Sequence, residues 1–196
     1  MIALVALLVS VTGSVGDQEE PQPYLHYVTE CADLLIRHGT DRYGPKQTPL
    51  LVSILDFDTR NCPEKPRELD APWRVIRNGR RNPAGANLLT DQQTLKTFFL
   101  LSEATSDKRY AEFARKYIAY YLKHLVDENG LFWWGWHRHY DVYKDTKEGH
   151  NGNPHEIHAI HAIDWEHLWE VDPGAVRREI EAVWQKHVVD KKTGEI

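Results

Sequence analysis

The segment WWGWHRHYD, residues 133–141, is the densest group of side chains that could bind and transform a sugar. Aromatic rings stack on the apolar C–H faces of sugars, and histidine and tyrosine can move protons near neutral pH. The segment supplies candidate substrate-binding residues Trp133, Trp134 and Trp136, and candidate catalytic residues His137, His139 and Tyr140. If it is extended, His139 and Asp141 share one face and Tyr140 points to the other. The alternative is a set of core tryptophans and surface histidines, but three tryptophans within four residues are hard to bury together.

A second candidate group, residues 153–161 (NPHEIHAIH), lies at the start of a predicted helix. A helix N-terminus disfavours the protonated imidazole, so His155 and Glu156 are candidate catalytic residues, with the histidine as a neutral base. Solvated capping residues are the alternative. Together with His137 and His139, these side chains also offer the ligands of a zinc site, although no HExxH or cysteine-rich pattern is present. The sequence predicts no required cofactor and leaves zinc or calcium as alternatives.

A basic stretch and the mouth of a predicted buried helix could hold an acidic substrate. Arg80 and Arg81 end the basic stretch, and guanidinium groups pair bidentately with carboxylates, as a uronic-acid polymer would require. Asn87, Asp91 and Gln92 follow at the mouth of the helix, where polar groups are costly to bury unless they are partnered or bind a ligand. These five residues are candidate substrate-binding residues. For the arginines, a solvated loop with scattered ion pairs is the alternative.

These segments must be positioned by a helical pattern that occurs more than once. Residues 24–35 and 110–121 share the i, i+4, i+7, i+8, i+11 spacing of a one-sided helix, at an offset of 110 − 24 = 86. The turns 41–44 and 127–130 follow at the same offset, and a third copy begins at Val176. We predict an all-α chain of helical hairpins; amphipathic helices without such an order are the alternative. The predicted helices lie near 24–38, 90–105, 108–125, 155–171 and 174–188.

The run LSEATSDKRYAEFA at 101–114, followed by DENGL at 127–131, resembles the hairpins of the six-hairpin glycosidase superfamily. The resemblance covers about residues 85–196. It implies an (α/α) toroid, incomplete in this chain, with a carbohydrate bound in a groove at one end of the ring. We expect the chain to be the N-terminal part of a longer protein, because repeated hairpins need neighbours that cover their apolar faces. The superfamily includes glycoside hydrolases, unsaturated glucuronyl hydrolases, polysaccharide lyases and sugar epimerases, so the fold does not determine the reaction.

Composition narrows the class of protein. The 196 residues suit one globular domain, and the net charge of −5 argues against a nucleic-acid partner. Residues 1–16 are apolar or small and too short to span a bilayer, so we predict a signal-peptide-like segment, a linker at 17–23 and a partial toroid domain at 24–196. A secreted or periplasmic protein without a membrane span follows; a buried N-terminal helix is the alternative. Export would allow Cys31 and Cys62 to pair, although two unpaired thiols fit the sequence as well.

Two reactions fit these residues. A polysaccharide lyase needs a base, and cationic or amide groups that stabilise the dianion formed next to a uronic carboxylate. A glycoside hydrolase needs two carboxyl groups, for which Asp91, Asp141 and Glu156 are available. Because histidine and arginine are richer here than paired carboxylates, we predict a polysaccharide lyase acting on a uronic-acid-containing polysaccharide or oligosaccharide. A glycoside hydrolase and a non-catalytic sugar-binding protein are the alternatives.

The predicted ring also predicts where its groove lies. The segment after the Asp-x-x-Gly turn and the start of the next buried helix must lie at the same end of an (α/α) toroid. We therefore expect His137, His139 and His155 to converge on one groove. Trp134 or Trp136 would form a wall of that groove.

Overall fold

The computed structural model describes residues 23–64, 82–135, 138–149 and 163–195. Helices dominate these ranges, and a small three-stranded sheet accompanies them. The helices are α1 (Pro23–Leu34), continued by a π-helical turn over Leu35–Gly39, α2 (Leu88–Thr105), α3 (Arg109–His124), α4 (Trp165–Val171) and α5 (Pro173–Lys186). The strands are β1 (Gly85–Ala86), β2 (His139–Asp141) and β3 (Thr146–Glu148). The predicted helices agree with these bounds to within a few residues, except that residues 155–162 of the fourth lie outside the described residues.

Helices α2 and α3 form a tight hairpin with apolar inner faces. Helix α2 begins after Asn87, whose side-chain oxygen accepts the N–H of Leu89, and it ends at Ser106, which adopts a left-handed conformation with φ of 61°. The spacing predicted for α3 is buried in full. Its five residues, each at most 2% exposed, are Tyr110, Ala114, Tyr117, Ile118 and Tyr121. This hairpin forms the centre of the described core.

The three turns predicted to repeat share one geometry. In each, the first residue accepts, with a side-chain oxygen, the backbone N–H two positions later; the three residues are Asp41, Asp127 and Asp190. The bridges Thr40–Leu51 and Val126–Phe132 close the first two turns. Thr40 and Val126 are 126 − 40 = 86 positions apart, like the helical copies, whereas their partners Leu51 and Phe132 are 132 − 51 = 81 positions apart, so the first turn is five residues longer than the second.

The apolar faces of the first and third copies are less buried than that of α3. On α1, Tyr24 and Val28 are 83% and 39% exposed, although Ala32 is buried. On α5, Ile180 and Trp184 are 51% and 41% exposed. Spacing identifies an apolar stripe on a helix but does not show whether a neighbour covers it. The predicted apolar stripes of α1 and α5 are thus present in the sequence but are covered only in part in the described structure.

The sheet connects the start of α2 with the segment that follows the second turn. Strand β1 pairs antiparallel with β2, with Gly85 opposite Asp141. Strand β2 continues into β3 as a hairpin, with His139 opposite Glu148. The extended conformation considered for residues 133–141 is thus observed over β2. Because β1 immediately precedes α2, the sheet holds the candidate catalytic segment beside the N-terminus of that helix.

Both described cysteines are unpaired. Cys31 is exposed and Cys62 is buried, and they form no disulfide in this structure. Burial, reinforced by the charges of Asp141 and Asp41, raises the pKa of the Cys62 thiol to about 12. Cys62 is therefore a protonated core thiol at neutral pH. Among the helices of the described residues, none combines the length and apolar character needed to cross a membrane. The predicted signal-peptide-like segment, residues 1–16, lies outside the described residues.

Candidate active site

His139 is the predicted catalytic histidine that falls within the described residues. It begins β2, and its ring packs over the backbone of β1: a Cβ added to Gly85 would lie 2.9 Å from Cδ2 of His139. The residue is half-buried. Burial is the main cause that lowers its pKa, while the carboxylates of Asp141 and Glu148 oppose the shift. His139 is therefore a neutral imidazole at neutral pH, able to accept a proton or to bind a metal ion.

Asp141 shares a face of β2 with His139, as the strand alternation predicts. It is only 2% exposed and accepts the backbone N–H groups of Tyr143 and Lys144 at 2.9 and 3.1 Å. The side-chain amide of Asn82 donates to its other oxygen. Asp141 thus stabilises the turn that joins β2 to β3. Because its oxygens are engaged in this way, it is a poor candidate for one carboxyl of a hydrolase pair.

Tyr140 points to the opposite face of the strand and is buried, with 5% of its surface exposed. Its hydroxyl donates to Oδ1 of Asp145 at 3.2 Å. Burial, followed by the neighbouring Tyr120 and Asp145, raises its pKa above the ordinary value. The structure separates Tyr140 from His139 by the thickness of the strand. The Tyr140 hydroxyl is thus engaged in a hydrogen bond on the face opposite to His139, and its predicted catalytic role stays a prediction.

Trp133 and Trp134 are both buried, with 4% and 7% exposure. The indole N–H of Trp133 donates to the carbonyl oxygen of Glu148 at 3.0 Å, and the guanidinium of Arg138 lies 4.5 Å from the ring centroid. Trp134 packs edge-on against Phe132, with 5.0 Å between centroids. Each of these two side chains is buried against its own partners, which does not favour the stacking surface predicted at these positions. Whether all three tryptophans of the segment are buried together stays untested, because Trp136 lies outside the described residues.

Asn87, Asp91 and Gln92 are all partnered inside the protein. The Gln92 side chain donates to the carbonyl of Leu89 at 3.0 Å and accepts the N–H of Asp164 at 2.9 Å. Asp91 accepts the hydroxyl of Tyr117 at 2.5 Å. Asn87 caps α2 and donates to two backbone carbonyls. These polar groups at the mouth of α2 therefore have internal partners, and the substrate-binding role predicted for the three residues stays a prediction.

Six further predicted site residues lie outside the described residues. They are His137, His155, Glu156, Trp136, Arg80 and Arg81. The convergence of three histidines on one groove therefore stays a prediction. The zinc alternative also depends on three of these six residues. Within the described ranges, no three His, Cys, Asp or Glu side chains come together as a metal-binding group.

A buried ionic cluster next to β2 was missed by the sequence analysis. Arg138 and Asp127 pair at 3.4 Å, and their side chains are 6% and 7% exposed. Glu179 of α5 lies nearby, is 3% exposed and accepts the N–H of Phe132 at 2.6 Å. Asp127 opens the second repeat turn, which was the one available signal that it is structurally important. Arg138 appeared only as part of the aromatic segment, and Glu179 was not singled out.

An apolar cavity of about 360 Å³ lies beside this cluster. Its lining includes Trp134 together with Trp165 and Trp184, which come from α4 and α5. Glu179 contributes the buried polar group. The cavity has the apolar lining of a packing site and does not include His139. Trp134 therefore lies with the α4–α5 pair, while His139 lies with β1.

Two comparisons of the sequence with known proteins indicate the family of this chain. A family model described as periplasmic pectate lyase matches residues 66–196. A pectate disaccharide-lyase of Dickeya dadantii (strain 3937) is 32% identical over 170 residues, which is 85% of this chain and 29% of that protein. The chain thus spans less than a third of the length of this curated relative. At the level of the family, these matches confirm the predicted class, a polysaccharide lyase, and agree with the predicted secreted or periplasmic location. The six-hairpin superfamily and the toroid stay predictions.

Proposed function

This chain belongs to the periplasmic pectate lyase family, and from that membership we propose that its protein cleaves a uronic-acid-containing polymer of the pectate type by β-elimination. The observation that carries the proposal is the family match over residues 66–196, because that range includes the whole β2–β3 hairpin and His139. The relative from Dickeya dadantii is named a pectate disaccharide-lyase, which supports the same substrate class.

The reaction sets the requirements for the site. A base removes the proton from the carbon next to the uronate carboxylate, and the electron pair left behind is delocalised onto that carboxylate. The bond from the neighbouring carbon to the glycosidic oxygen then breaks, a carbon–carbon double bond forms, and the leaving oxygen takes up a proton. Positive or hydrogen-bonding groups must stabilise the charge that builds up on the carboxylate. A neutral base and a cationic subsite are therefore needed side by side.

His139 meets the first requirement among the described residues. Its pKa is lowered chiefly by burial, so the imidazole is neutral at neutral pH and one of its nitrogens can accept a proton. It is half-buried and held in place by the close approach of Gly85. We assign it the role of the base. Arg80 and Arg81 would supply the cationic subsite, and His137, His155 and Glu156 would lie in the same groove of the proposed (α/α) toroid.

The test compares cleavage products of the full-length protein on pectate. Absorbance from the new carbon–carbon double bond indicates a lyase, new reducing ends without that absorbance indicate a hydrolase, and binding without either product indicates a sugar-binding module. His139→Ala should lower turnover by about 10²-fold. His26→Ala is the matched control, because His26 is 67% exposed on α1 and should leave turnover unchanged.

Treatment with a chelator tests which of two roles the neutral imidazole of His139 has, that of a base or that of a metal ligand. If chelation leaves turnover of the wild-type protein unchanged, no metal ligand is needed and His139 is free to act as the base. If chelation abolishes turnover and added divalent metal restores it, metal binding by His139→Ala decides: a variant that no longer binds the metal shows that the ring is a ligand and that the role of base is wrong. A wild-type protein that releases no unsaturated product would overturn the proposed lyase activity itself.

A further inference from the structure

We propose that Asn87 is a positioning residue for the lyase reaction, and that it acts by holding the backbone carbonyls of Gly135 and Arg138, which precede His139, against the N-terminus of α2. The inference rests on the proposed function, because a position matters for turnover only if the segment takes part in the reaction. It differs from the substrate-binding role that the sequence suggested for Asn87.

The hydrogen-bonding capacity of the Asn87 side chain is used on backbone groups. Its amide donates one hydrogen to the carbonyl of Gly135 and another to the carbonyl of Arg138, the second at 3.0 Å. Its oxygen accepts the N–H of Leu89 at 3.1 Å. An asparagine side chain has two N–H donors and one carbonyl acceptor, so each group is paired. Asn87 is 9% exposed, and a substrate could reach it only by displacing one of these bonds.

The two acceptor carbonyls belong to Gly135 and Arg138, and Arg138 directly precedes His139. Two acceptors bound to one NH2 group lie about 5 Å apart, so the Asn87 amide holds these carbonyls at a fixed short separation. Gly135 has φ of 121°, a conformation that side chains other than glycine rarely adopt. The side chain of Asn87 and the conformation of Gly135 therefore work together to set the positions of the two carbonyls.

Neighbouring contacts anchor the same segment from other directions. The Tyr121 hydroxyl donates to the carbonyl of Trp133 at 2.5 Å, and Arg138 pairs with Asp127 at 3.4 Å. Each of these two contacts fixes a single residue of the segment, whereas Asn87 binds two. Asn87 is 48 and 51 residues away in sequence from the two carbonyls that it joins. It ties the segment before His139 to the rigid start of α2, which is the kind of support that keeps a catalytic group in its productive geometry.

Two substitutions separate positioning from helix capping. Asn87→Ser keeps an oxygen that can cap α2 but replaces the NH2 group with a single, shorter O–H donor that cannot bind both carbonyls. Asn87→Asp keeps the shape and the cap but replaces the donors with an oxygen that repels the two carbonyls. Asp172→Ala is the matched control, because Asp172 caps α5 by accepting the N–H of Ala175 at 2.8 Å and has no described contact with residues 135–139.

The experiment measures kcat, KM and Tm of the full-length wild type and the three variants on pectate, together with backbone hydrogen exchange over residues 133–141. We expect both Asn87 variants to lower kcat by about 10²-fold with KM changed less than about threefold, and to speed exchange in this segment. Asp172→Ala should lower Tm and leave kcat and exchange in the segment unchanged. A loss confined to KM, or a kcat no lower than that of Asp172→Ala, would overturn the inference.

The inference and the proposed function fail in different ways. A wild-type protein with no lyase activity would contradict the proposed function. In that case, backbone hydrogen exchange over residues 133–141 shows whether Asn87 holds this segment. If neither Asn87 variant changes the exchange rate, Asn87 does not hold the segment. Faster exchange without an effect on kcat in an active enzyme would show that the segment is held for stability alone, and the positioning role in catalysis would be wrong.

Discussion

The carboxylate of Glu179 on α5 accepts the backbone N–H of Phe132 across 2.6 Å, directly after the second repeat turn. This bond joins the third helical copy to the segment that leads into Trp133. Burial raises the pKa of Glu179 to about 7; the Phe132 hydrogen bond opposes this, Asp127 reinforces it, and Arg138 opposes it. A buried carboxyl that titrates near neutrality therefore lies in the packing between α5 and the turn.

This pKa predicts a pH-dependent stability. The folded-state pKa of Glu179 is about 7 and its ordinary value is 4.5, so the folded state binds the proton more tightly than the unfolded state. The stabilisation is fully present below about pH 4.5 and is lost as pH rises through about 7. The loss is on the order of 3 kcal/mol in the free energy of unfolding. Glu179→Gln removes this titration.

The measurement is urea unfolding of the wild type and of Glu179→Gln at pH 5 and pH 8. The difference between the free energies of unfolding of the two proteins cancels the titration of all other groups that the substitution leaves unaffected. The wild type should gain stability relative to the variant at the lower pH. Parallel pH profiles for the two proteins would show that Glu179 keeps an ordinary pKa.

Asp127 should be far more important for stability than Asp190, although both open a repeat turn. Asp127 accepts the N–H groups of Asn129 and Leu131 and pairs with buried Arg138. Removing one partner of a buried ion pair costs about 3–5 kcal/mol, so Asp127→Ala should be strongly destabilising. Asp190→Ala removes an exposed turn contact to Lys192 and should cost much less. Equal losses in thermal unfolding would contradict the importance of burial here.

Gly85 should be required for the position of His139. A Cβ at residue 85 would lie 2.9 Å from Cδ2 of His139 and 3.0 Å from the carbonyl oxygen of Asn82, so Gly85→Ala must displace one of them. We expect pectate cleavage by Gly85→Ala to fall by about 10-fold or more. Gly39→Ala is the control, because its Cβ would meet Leu51 at an ordinary 3.5 Å. Full activity of Gly85→Ala would mean that the ring of His139 does not need this packing.

The Tyr121 hydroxyl should contribute measurably to stability. It donates to the carbonyl of Trp133 at 2.5 Å, and both residues are buried. Tyr121→Phe leaves that carbonyl without this donor, which costs about 1–3 kcal/mol. Tyr24→Phe is the matched change at a residue that is 83% exposed. Chemical denaturation of the two variants should show a loss for Tyr121→Phe alone.

Helix α3 could be predicted closely because the spacing of its apolar residues by itself indicates a helix with one buried face. Its apolar residues follow one face, and all five predicted positions are buried. Asp41 and Asp127 could likewise be placed in equivalent turns from their spacing, since an aspartate oxygen bonds to the N–H two residues later whatever the tertiary context. Local chemistry determines these elements, so a local reading of the sequence is sufficient.

The roles of Asn87 and Trp133 could not be predicted in the same way. The sequence shows that a polar group at a helix mouth needs a partner, but the carbonyls of Gly135 and Arg138 lie 48 and 51 residues along the chain. The burial of Trp133 likewise depends on Arg138 and on the carbonyl of Glu148 in β3. Strand β1 has two residues, too few for any periodic pattern.

The pairing of β1 with β2 has a consequence for the order of folding. Gly85 and Asp141 are 141 − 85 = 56 residues apart, whereas α2 and α3 are joined by a three-residue connection. Closing the longer loop costs more chain entropy and is slower, so the α2–α3 hairpin can form from local contacts before the strands meet. The strand that carries His139 is then among the last parts to become ordered during refolding. During refolding, the helical circular dichroism signal should return before enzymatic activity. The delay between the two would measure how long β1 and β2 take to pair.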